Sequence, residues 1–195
     1  MDARNALKGL ATGLMSVGII ATVPSVWAAD KVFELDNFNG GAAVQGLDVG
    51  VVVGKQFLVT ASSESAEQLE NLKIRVEDDV LVVGREYRSS GFWDWWKHSA
   101  DATVMVQMPS LSVLKASSGA ELLVEGVNCE TLSIDASSGS DIEVIGRCQT
   151  ATIDASSGAG VDLKRLELKT ATADASSGAD ININVSDAFD GDASS

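Results

Sequence analysis

Serine and aspartate recur together along the C-terminal half of the chain, and they are the first residues to question for chemistry. Ser117-Ser118, Ser137-Ser138, Ser156-Ser157 and Ser176-Ser177 each sit inside an Ala-Ser-Ser-Gly tetrad, and Asp135, Asp154 and Asp174 directly precede three of them. A nucleophilic serine needs a base within hydrogen-bond reach. The only histidine, His98, lies outside the tetrads, and there is no Gly-x-Ser-x-Gly elbow. Serine catalysis is therefore set aside, and the chain is read as a non-enzyme. The carboxylates have two possible occupations. Paired acids can cut glycosides, and stacked acids can share a cation. Asp135, Asp154 and Asp174 form one regular column, and Glu121, Asp141 and Asp180 form another across a gap at Gly160. Regularity favours solvated turn aspartates that cap local amides. If the first column holds a metal, calcium is expected, since it takes about six to eight oxygen ligands. Otherwise no cofactor is expected.

The elements that position these residues follow from the spacing. The tetrads start at Ala116, Ala136, Ala155 and Ala175, and a final Ala-Ser-Ser stands at Ala193–Ser195. Successive intervals are 20, 19, 20 and 18 residues. That period is too short for most helical repeats and suits a solenoid of stacked β turns. The segments after each tetrad read AELLVEG, SDIEVIG, AGVDLKR and ADININV, with apolar and polar residues alternating as in a strand. One inward column is Leu122, Ile142, Val161 and Ile181, and the next is Val124, Val144, Leu163 and Ile183. Before the tetrads, TLSIDA, TATIDA and TATADA predict a second strand, with Leu132, Ala151 and Ala171 pointing in. Thr131, Thr150 and Thr170, with Ser133, Thr152 and Thr172, point out as hydroxyl rows. These rows resemble those of ice-binding solenoids, although solvent-facing β-formers explain them more simply.

Cys129 and Cys148 each lie seven residues before the next tetrad, where the following repeat has Leu168. Adjacent strands are about 4.8 Å apart, and a disulfide needs Cα atoms about 4.4–6.8 Å apart. A rung-to-rung disulfide is expected, the alternative being two buried free thiols.

Before the repeats the pattern is weaker. Strands are predicted over Lys31–Leu35, Gly46–Val53, Gln56–Ala61, Leu72–Val76, Val80–Val83 and Thr103–Met108, with a short helix from Ala66. Ser89–Asp101 interrupts them with Phe92, Trp93, Trp95 and Trp96. These aromatics are either a platform for sugar rings or a partner protein, or a cover over the solenoid.

The first segment reads as an export signal. Arg4 and Lys8 precede the mostly apolar Leu10–Val23, and Val26-Trp27-Ala28 fits signal-peptidase cleavage. The apolar run is short for a membrane span, so stable insertion is not expected after cleavage. The net charge of −14 excludes nucleic acid and anionic lipid as partners.

The segments FNGGAAVQGLDVGVVVGKQFLVTASSE, LENLKIRVEDDVLVVG and VMVQMPSLSVLKASSGAELLVEG, followed by DASSGSDI-type turns, resemble the head GIN domain family, known as auto-transporter adhesin heads. The resemblance runs from about Phe33 to the C-terminus. It implies an exported right-handed parallel β-helix and brings no catalytic residues.

The chain is thus expected to be all-β. A signal peptide at 1–28 precedes one β-helix domain at 29–195. That domain has an irregular β segment at 29–108, with the aromatic insertion at 89–101, and regular repeats of about 20 residues at 109–195. The final Ala-Ser-Ser, one residue short of a glycine, reads as a truncated repeat that would leave an open end. The expected role is non-catalytic: adhesin-like binding or scaffolding at the cell envelope, in the periplasm or outside, on a glycan or an envelope protein. The alternatives are a carbohydrate-active enzyme using outward carboxylates and a self-associating structural stack; the oligomeric state is left open.

Overall fold

The computed structural model describes residues 29–85 and 102–195. The expected signal segment and the aromatic insertion, with Phe92, Trp93, Trp95, Trp96 and His98, lie outside the described residues. The fold is all-β. Among the described residues twelve strands join one sheet: β1 Ala29–Phe33, β2 Gly40–Val44, β3 Asp48–Val53, β4 Leu58–Ser63, β5 Leu72–Glu77, β6 Val80–Arg85, β7 Ala102–Met108, β8 Val113–Ser117, β9 Glu121–Ala136, β10 Asp141–Ala155, β11 Gly160–Ser176 and β12 Asp180–Ser194. Among the described residues one short helix, α1, spans Ala66–Glu70. Among the described residues no helix is long and apolar enough to cross a membrane.

The long strands β9 to β12 pair in parallel, each offset from its neighbour by about one repeat. Ile142 lies against Leu122 and Val161, and Val161 against Ile181, which is the inward column expected from the repeats. Ile134 pairs with Ile153 and Ile153 with Ala173 in the facing column. These side chains merge into one core that runs from Phe38 to Ala173. No single rung could bury its own apolar residues, so the neighbours above and below supply the cover.

The stack begins earlier than the visible repeat. β2 pairs in parallel with β8, and β3 with the first residues of β9, so Gly40–Val53 forms a further rung. Its corner, Val44-Gln45-Gly46-Leu47, takes the place of Ser-Ser-Gly. Gln45 and Gly46 have φ of 63° and 64°, matching Ser118 and Gly119 at 57° and 74°. Only β4, β5 and β1 depart from this order. They pair antiparallel with β7, β6 and β4, and thereby close the N-terminal end of the stack with hairpin-like edges.

Each tetrad is a tight corner. Ser138, Ser157 and Ser177, like Ser118, are left-handed at φ 51–57°, and each is followed by a left-handed glycine. Ala159 N and Ala179 N donate to Ser156 O and Ser176 O at 3.1 Å. Two consecutive positive φ values closed by such a bond make a type I′ turn, whose twist suits the flanking strands. Corners also bond to one another: Gly119 N, Gly139 N and Gly158 N each donate to the serine carbonyl of the next corner at 3.1 Å.

One corner carries an extra tie. Ser140, fully buried where other rungs have Ala120, Ala159 and Ala179, donates its Oγ to the Ala116 carbonyl at 2.9 Å. Ser140→Ala is expected to cost about 0.5–1.5 kcal/mol, the net worth of one buried hydrogen bond. A urea titration would measure it. Alanine in the sister rungs means that no steric penalty adds to that value.

Candidate functional site

The residues singled out for chemistry stand on the outer faces of the stack. Asp154 is in register with Asp135 on one side and Asp174 on the other, and Asp174 is in register with Asp192. Lys115 stands at the other end of this column, opposite Asp135. The column is therefore Lys115, Asp135, Asp154, Asp174 and Asp192, all on the exposed side of their strands. Beside it run Ser133, Thr152, Thr172 and Asp190, and then Thr131, Thr150, Thr170 and Ala188. Thr150 and Thr170 join their hydroxyls at 3.0 Å. The result is a regular face of acids and hydroxyls with about 4.8 Å between strands.

Asp135, Asp154 and Asp174, where calcium is expected, form the middle of this column. Parallel in-register strands carry the three carboxylates outward side by side, rather than aiming them at one point. Among the described residues, no group of three or more His, Cys, Asp or Glu side chains could hold a metal ion.

The other acidic column borders a groove of about 630 Å³ lined by Glu121, Asp141, Glu143, Asp162, Asp180 and Asn182. Its floor opens at Gly160, because a Cβ there would run into the Asp141 carboxylate. Cations already attend this acidic lining: Arg165 lies 3.6 Å from Glu143, and Lys164 lies 3.6 Å from Asp162. On β5, far along the sheet, Arg75 Nε donates to Glu77 Oε1 at 2.6 Å. That hydrogen bond lowers the Glu77 carboxyl pKa and raises that of Arg75. Both side chains are about half exposed, so the pair stabilises the fold little.

Cys129 and Cys148 are adjacent in register, with Cα atoms 4.6 Å apart, and are joined as a disulfide. Leu168 continues their column.

Three features escape sequence reasoning. Lys115 and Asp192 terminate the Asp column, and the Gln45-Gly46 corner begins the stack. A signal for the corner exists. Ala43, Gly46 and Asp48 share their spacing with Ala116, Gly119 and Glu121. Leu123, which alternation places on the outer face, is outward but only 4% exposed, because Val52, Met105 and Ile145 pack around it.

Comparison with known proteins agrees with this architecture. A family model described as "Putative auto-transporter adhesin, head GIN domain" matches residues 37–195. A crystal structure described as a putative adhesin from Bacteroides fragilis NCTC 9343 superposes with a TM-score of 0.62 at 11% identity, over 85% of this chain and 94% of that one. A second, described as a putative adhesin from Parabacteroides distasonis ATCC 8503, gives 0.55 at 15% identity, over 85% of this chain and 79% of that one. At such identities the likeness concerns the fold alone. No curated protein matches the chain in sequence.

Proposed function

The chain belongs to the head GIN domain family, and from that premise we propose that it is an exported, non-catalytic binding module acting at the cell envelope. Its ligand is a glycan or an envelope protein, met by the outward columns of the stack. In this reading residues 1–28 are a cleaved signal, and residues from 29 onward fold as one right-handed parallel β-helix. The in-register parallel pairing of β9 to β12 supports the β-helix.

One observation carries the non-catalytic role: Asp135, Asp154 and Asp174 are repeated in register on a single face. A glycosidase sets two carboxyl groups on either side of the scissile bond. Asp135, Asp154 and Asp174 all approach a ligand from the same side. They can contact successive units of a polymer, and none is unique enough to be an acid with its own base.

A glycan array combined with a polysaccharide turnover panel tests this. The expected result is binding without turnover. Asp154→Asn alone should weaken binding by less than about threefold, and the triple replacement of Asp135, Asp154 and Asp174 by Asn by about tenfold or more, since exposed contacts are individually weak and add along a column. Replacing Trp93, Trp95 and Trp96 by Ala in parallel tells an aromatic platform from the acid column. Turnover abolished by one Asp→Asn change would instead establish a hydrolase.

A further inference from the structure

β10 flanks β9 along nearly its whole length, but on the other side two different strands meet only the ends of β9. β3 pairs with it as far as Glu125, and β8 takes over at Ser133. The seven residues between, Gly126–Leu132, face no paired strand on that side among the described residues. Among the described residues no backbone hydrogen bond reaches them from that side either. The matching stretch of β10, Gly146–Thr152, has a strand on both sides. Burial registers the gap. Cys129, Cys148 and Leu168 form one inward column, in which Cys148 and Leu168 are 5% and 3% exposed while Cys129 is only partly buried. This open edge lies in the interior of the sheet, between the places held by β3 and β8. Its length, about 23 Å at about 3.3 Å per residue, suits a strand of ordinary size. Unpaired strand edges of this kind accept one more strand.

The stack itself shows which side chains suit this edge. Gln149 and Lys169 continue the column of Glu130, since they fall between the register rows Cys129–Cys148–Leu168 and Thr131–Thr150–Thr170. A strand beside Gly126–Leu132 would therefore set an apolar residue on Cys129 and its next residue beside Glu130. Glu130 is exposed, is the one charged residue of the stretch, and has no ion pair among the described residues. Opposite charges facing across a strand pair stabilise it, and like charges destabilise it. The residue beside Glu130 should thus be Lys or Arg. β11 carries that combination as Leu168-Lys169, but this stretch is already paired on both sides and is not available to a second copy. A second copy would also bring a net charge of −14 of its own.

We propose that the open edge of β9 at Gly126–Leu132 docks an extended segment of a partner protein, in which an apolar residue covers Cys129 and a Lys or Arg after it lies beside Glu130. This goes beyond the adhesin reading and does not depend on it, because the contact is main-chain pairing at an edge rather than recognition by the acid column.

The test uses the whole chain with its disulfide formed and three fluorescent peptides. The first has the sequence of Leu166–Thr172, which supplies the apolar residue and the lysine in the required order. The second carries Lys169→Glu, and the third scrambles the first so that its alternation is lost. The first is expected to bind at least about fivefold more tightly than either control at low salt, with the gap to the second narrowing at high salt. Hydrogen exchange at the amides of Gly126–Leu132 should slow in that complex. Glu130→Lys, a change at an exposed side chain, should reverse the preference between the first and second peptides. Equal binding of the scrambled peptide would reduce the effect to bulk charge and overturn the proposal. Binding that leaves the Gly126–Leu132 amides unprotected, or a preference that Glu130→Lys leaves intact, would move the contact elsewhere and overturn it. A dimer in sedimentation that protects the same amides would overturn it in favour of a second copy. Failure of all three peptides to bind at millimolar concentration would overturn it outright, whatever the glycan array shows.

Discussion

Replacing Cys129 and Cys148 together by alanine is expected to lower the stability of the stack by about 2–4 kcal/mol, the usual worth of a disulfide closing a loop of this size. The two cysteines are 19 residues apart in sequence and belong to adjacent rungs. The bond therefore closes one full turn of chain and removes the entropy of that turn from the unfolded state. Local packing contributes less, because Leu168 fills the same column in the next rung without a bond. The measurement is urea unfolding of wild type and double variant, each with and without reductant. Reductant should bring wild type down to the variant and leave the variant where it was. A wild type indifferent to reductant would show that the bond closes nothing that matters. The chain made in a reducing compartment should behave like the variant, as expected of a disulfide suited to oxidising surroundings.

Gly146→Ala should cost about 3–5 kcal/mol, against about 1–2 kcal/mol for Gly139→Ala, although both glycines have positive φ. Their surroundings differ. Gly139 is at φ 68° on a corner, and a Cβ added there would meet nothing within 4 Å. Only the left-handed backbone resists the change. Gly146 is at φ 146°, and its Cβ would strike the Val127 backbone, with the Val127 nitrogen at 2.7 Å and its carbonyl oxygen nearer. The cause is a difference in length. Val144 pairs with Val124 and Gly146 with Val127, so β10 covers in two residues what β9 covers in three. The shorter path is drawn tight over its neighbour, and a main chain cannot rotate aside as a side chain can. Thermal melts of the two variants would show the ranking, and a Gly139→Ala chain less stable than Gly146→Ala would refute it.

The repeated half of this fold is legible because its constraints are written in side chains. Ile142, Ile153 and Val161 alternate with polar residues at a constant period, so their inward columns can be aligned without coordinates. β2 cannot be read that way. Gly40, Gly41, Ala42 and Ala43 have neither alternation nor strand preference, and the segment is extended because β6 and β8 flank it on both edges. Its corner is hidden for a related reason. Backbone φ fixes the turn, and Gln45-Gly46 meets that need as well as Ser-Gly does. The Asp column is legible as a column but not as a site. Spacing along the chain assigns the rung and the face, while convergence on one point depends on side-chain direction, which parallel register makes uniform.

The constant rung length also sets how such a chain can assemble. The contacts that bury each rung of the repeat lie about one repeat back along the chain. Adding each rung beyond β9 therefore means closing a loop of nearly the same length, at nearly the same entropic cost. The β5–β6 hairpin, with its Asp78-Asp79 turn, pairs adjacent segments at the N-terminal end and can form on its own within microseconds. Growth from that end needs no contact with chain still to be made. Synthesis supplies the rungs in that same order, so the folded stack can lengthen by single turns while the remainder of the chain is still unfinished.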